Sequence, residues 1–132
     1  MVLHGGCLCG EVRYEISGPV TSASHCHCSF CRKAHGAAFA TYATVDAEQH
    51  RFLSGEALVR RFASSPTVVR CFCDRCGSPL TWQDADRFPG RISFPLAGLD
   101  VAPEPLEQRH IFVGSRACWF AIHDSWPRRF EY

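Results

Sequence analysis

Three short stretches concentrate the soft ligands of this chain: Cys7-x-Cys9, Cys26-x-Cys28-x-x-Cys31 and Cys71-x-Cys73-x-x-Cys76. His25 and His27 interleave with the second stretch, so "SHCHCSFCRK" carries three cysteines and two histidines within seven positions. Thiolates at such spacing are zinc ligands: four in a closed tetrahedron make a structural site, and three with an open position make a catalytic one. The nine cysteines are an odd number, which fits a disulfide framework poorly. The opening "MVLHGGCLCG" lacks the basic region and apolar run of a secretory leader, so a reducing, cytoplasmic setting is expected. Clustered thiols are there metal ligands or redox groups rather than disulfides.

The cysteines sort by chelate geometry. "FCDRCG", Phe72 to Gly77, is one half-site: two residues between Cys73 and Cys76 let the chain turn so that both sulfurs face one ion, and Gly77 supplies the backbone freedom after the turn. The other half comes from Cys7-x-Cys9 or from two of Cys26, Cys28 and Cys31. Residues two apart in an extended strand share a side, so Cys7 and Cys9 can chelate together. Joining them to Cys73 and Cys76 completes a four-thiolate site. Cys26, Cys28 and Cys31 then remain as a three-thiolate group with an open fourth place, which His25 or His27 would close in the alternative arrangement. Cys71 reads as a neighbouring free thiol, and Cys118 as a small buried hydrophobe. Arg32 and Lys33 follow Cys31 directly and are candidates for holding an anionic substrate. His110 is either a strand-end hydrogen-bonding group or a catalytic one.

The elements that must position these groups are mostly strands. "EVRYEI" alternates Val12, Tyr14 and Ile16 with charged residues, as a half-buried strand does. The runs "AAFATYATV", "ALVRRF", "TVVRCFC", "PLTWQ", "RISFPLAGL" and "RHIFVG" are rich in β-branched and aromatic residues, and Gly, Pro, Asp and Ser punctuate them. Only "SFCRKAHG" predicts a helical turn, with Ser29 as its cap. "VAPEPLE" predicts an extended loop because Pro103 and Pro105 disfavour helix. The three tryptophans and ten phenylalanines are expected in the core, save one aromatic walling a pocket. Without a linker, residues 1–132 are expected to form one domain. A net charge of +1 without a Lys/Arg block argues against a nucleic-acid partner. No apolar run approaches eighteen residues, so no membrane helix is expected.

The blocks "GGCLCGEVRY", "CHCSFCRKAHG", "CFCDRCGSPL" and "HIFVGSRACWF" occur in this order over residues 5 to 120. Together they resemble the glutathione-dependent formaldehyde-activating enzyme family, which includes centromere-protein-V-like domains. The resemblance implies a β-tent, a mainly β fold of antiparallel sheets built around zinc with little helix. It also implies two zinc sites: a structural one on Cys7, Cys9, Cys73 and Cys76, and a second, open to partial occupancy, on Cys26, Cys28 and Cys31. The implied activity is that of a carbon–sulfur lyase joining glutathione and formaldehyde into S-hydroxymethylglutathione. Cys71 and Cys118 depart from the family pattern. The competing classes are a zinc-stabilised protein-binding module without catalysis and a thiol redox or metal-handling protein.

Overall fold

A computed structural model of the chain describes residues 1–132. Ten strands and one helix follow in the order β1 (Val2–Gly6), β2 (Arg13–Ser17), β3 (Ser22–Cys26), α1 (Ser29–His35), β4 (Ala40–Asp46), β5 (His50–Ser54), β6 (Val59–Ala63), β7 (Val68–Cys73), β8 (Pro79–Asp84), β9 (Arg91–Pro95) and β10 (Glu107–Ile111). They form a three-stranded sheet, β1-β2-β5, and a seven-stranded sheet, β10-β3-β4-β9-β8-β7-β6. The architecture is mainly β, as expected. Its larger sheet is mixed rather than purely antiparallel, because β10 pairs parallel with β3.

The core lies between the sheets. Tyr14 and Ile16 of β2, with Val12 just before it, are buried against Ala43 and Val45 of β4 and Ile92 and Phe94 of β9. Burying such side chains contributes about 1.5–3 kcal/mol each. A one-residue slip would turn all of them outward, so the alternation that made "EVRYEI" legible also fixes the register. The same pleat sends the intervening residues of the larger sheet, Tyr42, Thr44 and Ser93 among them, to its opposite face.

Local chemistry differs from expectation at several points. Cys7 and Cys9 lie in a turn rather than a strand: the Gly10 amide donates to the Cys7 carbonyl at 3.1 Å, with Gly10 at φ +82°. The cap of α1 is Cys28, whose sulfur accepts from the Cys31 amide, and Ser29 is the first helical residue. Gly36 ends the helix in the left-handed region. β1, β3 and β5 carry weak strand patterns and form because neighbouring strands pair with them. Trp119, Trp126 and Phe130 are exposed rather than in the core, and so is Cys118. The segment holding these residues follows β10, where no further sheet covers it.

β1 leads straight into Cys7, so its seat matters. A side chain on Gly5 would place its Cβ 2.5 Å from the Gly98 carbonyl oxygen and 2.7 Å from the Tyr14 hydroxyl. The Gly98 oxygen is backbone and cannot swing aside. Gly5→Ala should therefore lower stability by about 1–3 kcal/mol, the usual cost of overpacking. The denaturant midpoint measures this, and an unchanged midpoint would show that β1 is not seated as described.

Candidate metal centre

Two turns bring Cys7, Cys9, Cys73 and Cys76 together, with all four sulfurs within 4.8 Å of one another. In the first turn the Cys7 amide donates to the Val12 carbonyl at 3.1 Å. In the second, between β7 and β8, the Gly77 amide donates to the Cys73 carbonyl at 2.8 Å, with Gly77 at φ +78°. Ser78 ties the turns together: its hydroxyl accepts from the Leu8 amide at 2.9 Å and lies 3.2 Å from the Cys76 sulfur. The Ser78 hydrogen bond, with backbone amides, pulls the Cys76 thiol down to about 5. Sulfurs about 2.3 Å from a tetrahedral zinc stand roughly 3.8 Å apart. The Cys7–Cys9 and Cys9–Cys73 separations of 3.5 and 3.9 Å match that spacing. The Val12 amide donates to the Cys7 sulfur at 3.3 Å, an outer-shell contact of the kind that orients a ligand.

Cys26, Cys28 and Cys31 form the second cluster, their sulfurs also within 4.8 Å of one another. Cys26 ends β3, Cys28 caps α1, and Cys31 lies in its first turn. Hydrogen bonds from the Cys26 and Cys31 thiols push Cys28 down to about 2, while the same contacts push Cys26 up. Loading a cation on the trio displaces the thiol protons it holds. A guanidinium nitrogen of Arg70 approaches the Cys31 sulfur at 3.8 Å. Neither His25 nor His27 joins the sulfurs. Alternate residues of an extended chain point to opposite faces, so the imidazoles leave on the far side of the sheet.

There they build a layer with His110. His110 Nε2 lies 2.9 Å from an Asp124 carboxylate oxygen, and His110 Nδ1 lies 2.8 Å from His27 Nε2. A carboxylate only accepts, so Nε2 of His110 carries the proton and, in the neutral ring, Nδ1 accepts from His27. His25 spans Thr41 and Gln108 at 2.8 and 2.9 Å and stacks on Trp126. His110 is therefore a buried bridging group, one of the two roles open for it. The sequence carries no signal for Asp124, which is fourteen residues downstream of its partner.

A cavity of about 710 Å³ opens over Cys26, Cys28 and Cys31. Arg70, Arg87, Arg91 and Arg109 line it together with Trp82 and five further aromatics, where the sequence led us to expect one. Arg32 stands elsewhere: its guanidinium donates to the carbonyl oxygens of His27 and Ser115 at 3.3 and 3.2 Å. Lys33 lines a second cavity of about 520 Å³ with Cys71. Cys71 is buried on β7 and belongs to neither sulfur cluster.

Residues 2–115 match the family model described as glutathione-dependent formaldehyde-activating enzyme. A protein of Halomonas elongata, provisionally named a glutathione-dependent formaldehyde-activating enzyme, is 30% identical over 129 residues, covering 92% of this chain and 82% of its own length. A crystal structure of a Rhodobacter sphaeroides protein superposes with a TM-score of 0.64 at 26% identity, covering 76% of this chain and 91% of that one. The chain belongs to the glutathione-dependent formaldehyde-activating enzyme family. No helix is long and apolar enough to cross a membrane.

Burial holds four histidines below their ordinary range: His25, His35, His50 and His27, the last at about 4. Between about pH 4 and 6.5 the unfolded chain binds protons that the folded chain refuses. Stability is therefore complete above this window and declines as pH falls through it. His50 isolates the effect, since it stacks on Tyr14 with a buried, unpartnered Nε2 and touches neither cluster. His50→Phe should shrink the fall in Tm between pH 7 and pH 5, with metal content measured alongside. An undiminished fall would mean that His50 enters the fold protonated.

Proposed function

We propose that this chain is a zinc-dependent enzyme of one domain that joins a small thiol to formaldehyde, with glutathione as the thiol. The observation that carries the reading is the three-sulfur cluster opening into a cavity, beside a four-sulfur cluster that is closed. In this reading Cys7, Cys9, Cys73 and Cys76 hold a structural zinc, and Cys26, Cys28 and Cys31 hold a second, exchangeable one. The dimensions of the first cluster and the donor set of both support it. The family's name supports the substrates.

When bound at the trio, zinc would supply a positive site at which a substrate thiol ionises near neutral pH. The remaining work falls to the chain. The trio contributes three negative charges, and Arg70 offsets part of the excess from 3.8 Å. The cavity holds the thiol and the aldehyde side by side, where orientation replaces a bimolecular encounter. The substrate S–H bond breaks, a carbon–sulfur bond forms to the aldehyde carbon, and the C=O π bond becomes a hydroxyl that takes the proton. Nothing is oxidised or reduced. The anion-binding role expected of Arg32 is assigned to arginines that line the cavity, because Arg32 is engaged with two carbonyls.

A structural zinc contributes about 10 kcal/mol or more in small zinc peptides. Whole domains are stable by only about 5–15 kcal/mol. Cys73→Ser should accordingly leave the chain unable to fold, and a soluble variant with unchanged zinc content and Tm would refute the structural assignment. The trio spans one short segment and clamps no distant strands, so Cys28→Ser should stay folded with about one zinc per chain. Cys71→Ala should keep both ions; loss of one would make it a ligand. Activity is read by exchange NMR of 13C-formaldehyde with glutathione, which wild type should accelerate and Cys28→Ser should not. A folded wild type with one zinc and no acceleration favours the binding module instead.

A further inference from the structure

The register of the larger sheet explains why the cavity is rich in arginine. Ser24 stands opposite Arg109 on one side and Tyr42 on the other. Thr44 stands opposite Ser93, and Trp82 opposite both Ser93 and Arg70. Paired residues share a face, and along a strand every second residue returns to it. Cys26 and Arg109 are therefore on the same face, as are Arg70 and Arg91. No aspartate, glutamate or lysine lines this cavity.

The four guanidiniums are not equivalent. Arg87 is held by Asp84 and Arg91 by Asp46, each at 2.6 Å. Arg70 lies against the Ser64 and Tyr42 hydroxyls and the Cys31 sulfur, where it faces the negative charge of the thiolates. Arg109 takes part in no ion pair of the chain. It sits two residues, about 6.6 Å of strand, beyond the level at which Ile111 pairs with Cys26. On the other side of β3 the same face carries the Thr44 and Ser93 hydroxyls, joined at 2.7 Å. An unpaired, half-buried guanidinium is built for bidentate pairing with a carboxylate.

We propose that Arg109 is the specificity-determining residue of this site, pairing a carboxylate that the substrate carries beyond its sulfur. The site then selects extended, carboxylate-bearing thiols over small neutral ones. This rests on the reading that the substrate sulfur meets Cys26, Cys28 and Cys31. A cavity of about 710 Å³ suits a peptide-sized thiol.

The test is calorimetric titration of the zinc-loaded full chain with glutathione, glutathione diethyl ester and 2-mercaptoethanol. Arg109→Gln should weaken glutathione binding about tenfold or more, the effect of losing a charge-assisted pair. It should leave zinc content and 2-mercaptoethanol affinity unchanged. The diethyl ester, in which both carboxylates are masked, should bind wild type no more tightly than glutathione binds the variant, and Arg109→Gln should cost the ester nothing further. Arg109→Lys should recover part of the affinity through its charge. If 2-mercaptoethanol binds wild type and Arg109→Gln leaves glutathione binding intact, the role of Arg109 is wrong while the thiol site stands. Equal losses for all three thiols would point to a damaged cavity and overturn the proposal. A wild type that binds no thiol overturns both readings.

Discussion

The constraint around which the two sheets are arranged is the gathering of four cysteine sulfurs, two from residues 7 and 9 and two from residues 73 and 76, within 4.8 Å of one another. Thiols crowded this closely gain little from packing alone. A cation held there, as proposed, would convert the crowding into folding free energy. The cluster joins the end of β1 in the small sheet to the β7–β8 turn of the large one. Ser78 reinforces that junction by contacting both turns. The aliphatic core between the sheets shares the burden, and Cys7 and Cys73 are packed into it.

With the sheets fixed, the pleat divides the larger one into two environments. Its inner face supplies Ala43, Val45, Ile92 and Phe94 to the core. Its outer face carries a smaller cluster around Cys26, Cys31 and Tyr42, and beside it the Thr44 and Ser93 hydroxyls and the arginines of the cavity floor. A sheet can remain wet on one face because its backbone hydrogen bonds are complete within the ladder. The cavity therefore costs the fold little. It also lies over the sulfur trio, because Cys26 is the last residue of a strand whose outward residues form that floor.

The histidine layer stiffens the segment that carries the trio. Asp124 fixes the proton on His110 Nε2, and His110 Nδ1 in turn accepts a hydrogen bond from His27, whose peptide unit lies between two cysteines of the cluster. The Arg32 guanidinium holds the His27 carbonyl as well. Parallel pairing of β10 with β3 aligns His110 with His25 and Ile111 with Cys26. A segment rich in Ser, Ala and His is thereby kept extended despite modest intrinsic strand preference.

The sulfur clusters were legible in the sequence because a chelate is local: two ligands separated by one or two residues can face one ion whatever the rest of the chain does. The trio needs only six consecutive positions, and the strands around Tyr14 and Cys71 announce themselves by alternation and by β-branched and aromatic content. Pairing of the half-sites was an expectation from geometry and family, and the turns now bring those four sulfurs together. Tertiary structure decided what is not local. β3 carries only a weak strand pattern and becomes a strand between β10 and β4. The exposed Cys118 and Trp119 looked like core because their neighbours are apolar. Arg32 is adjacent to Cys31 in sequence yet turns to backbone carbonyls, while Arg70 and Arg109, far away in sequence, face the cavity. An arginine in an alternating strand signals only that it avoids the core. Which outward face it shares, and with which sulfur, is set by strand pairing across the whole chain, and that pairing leaves no local mark.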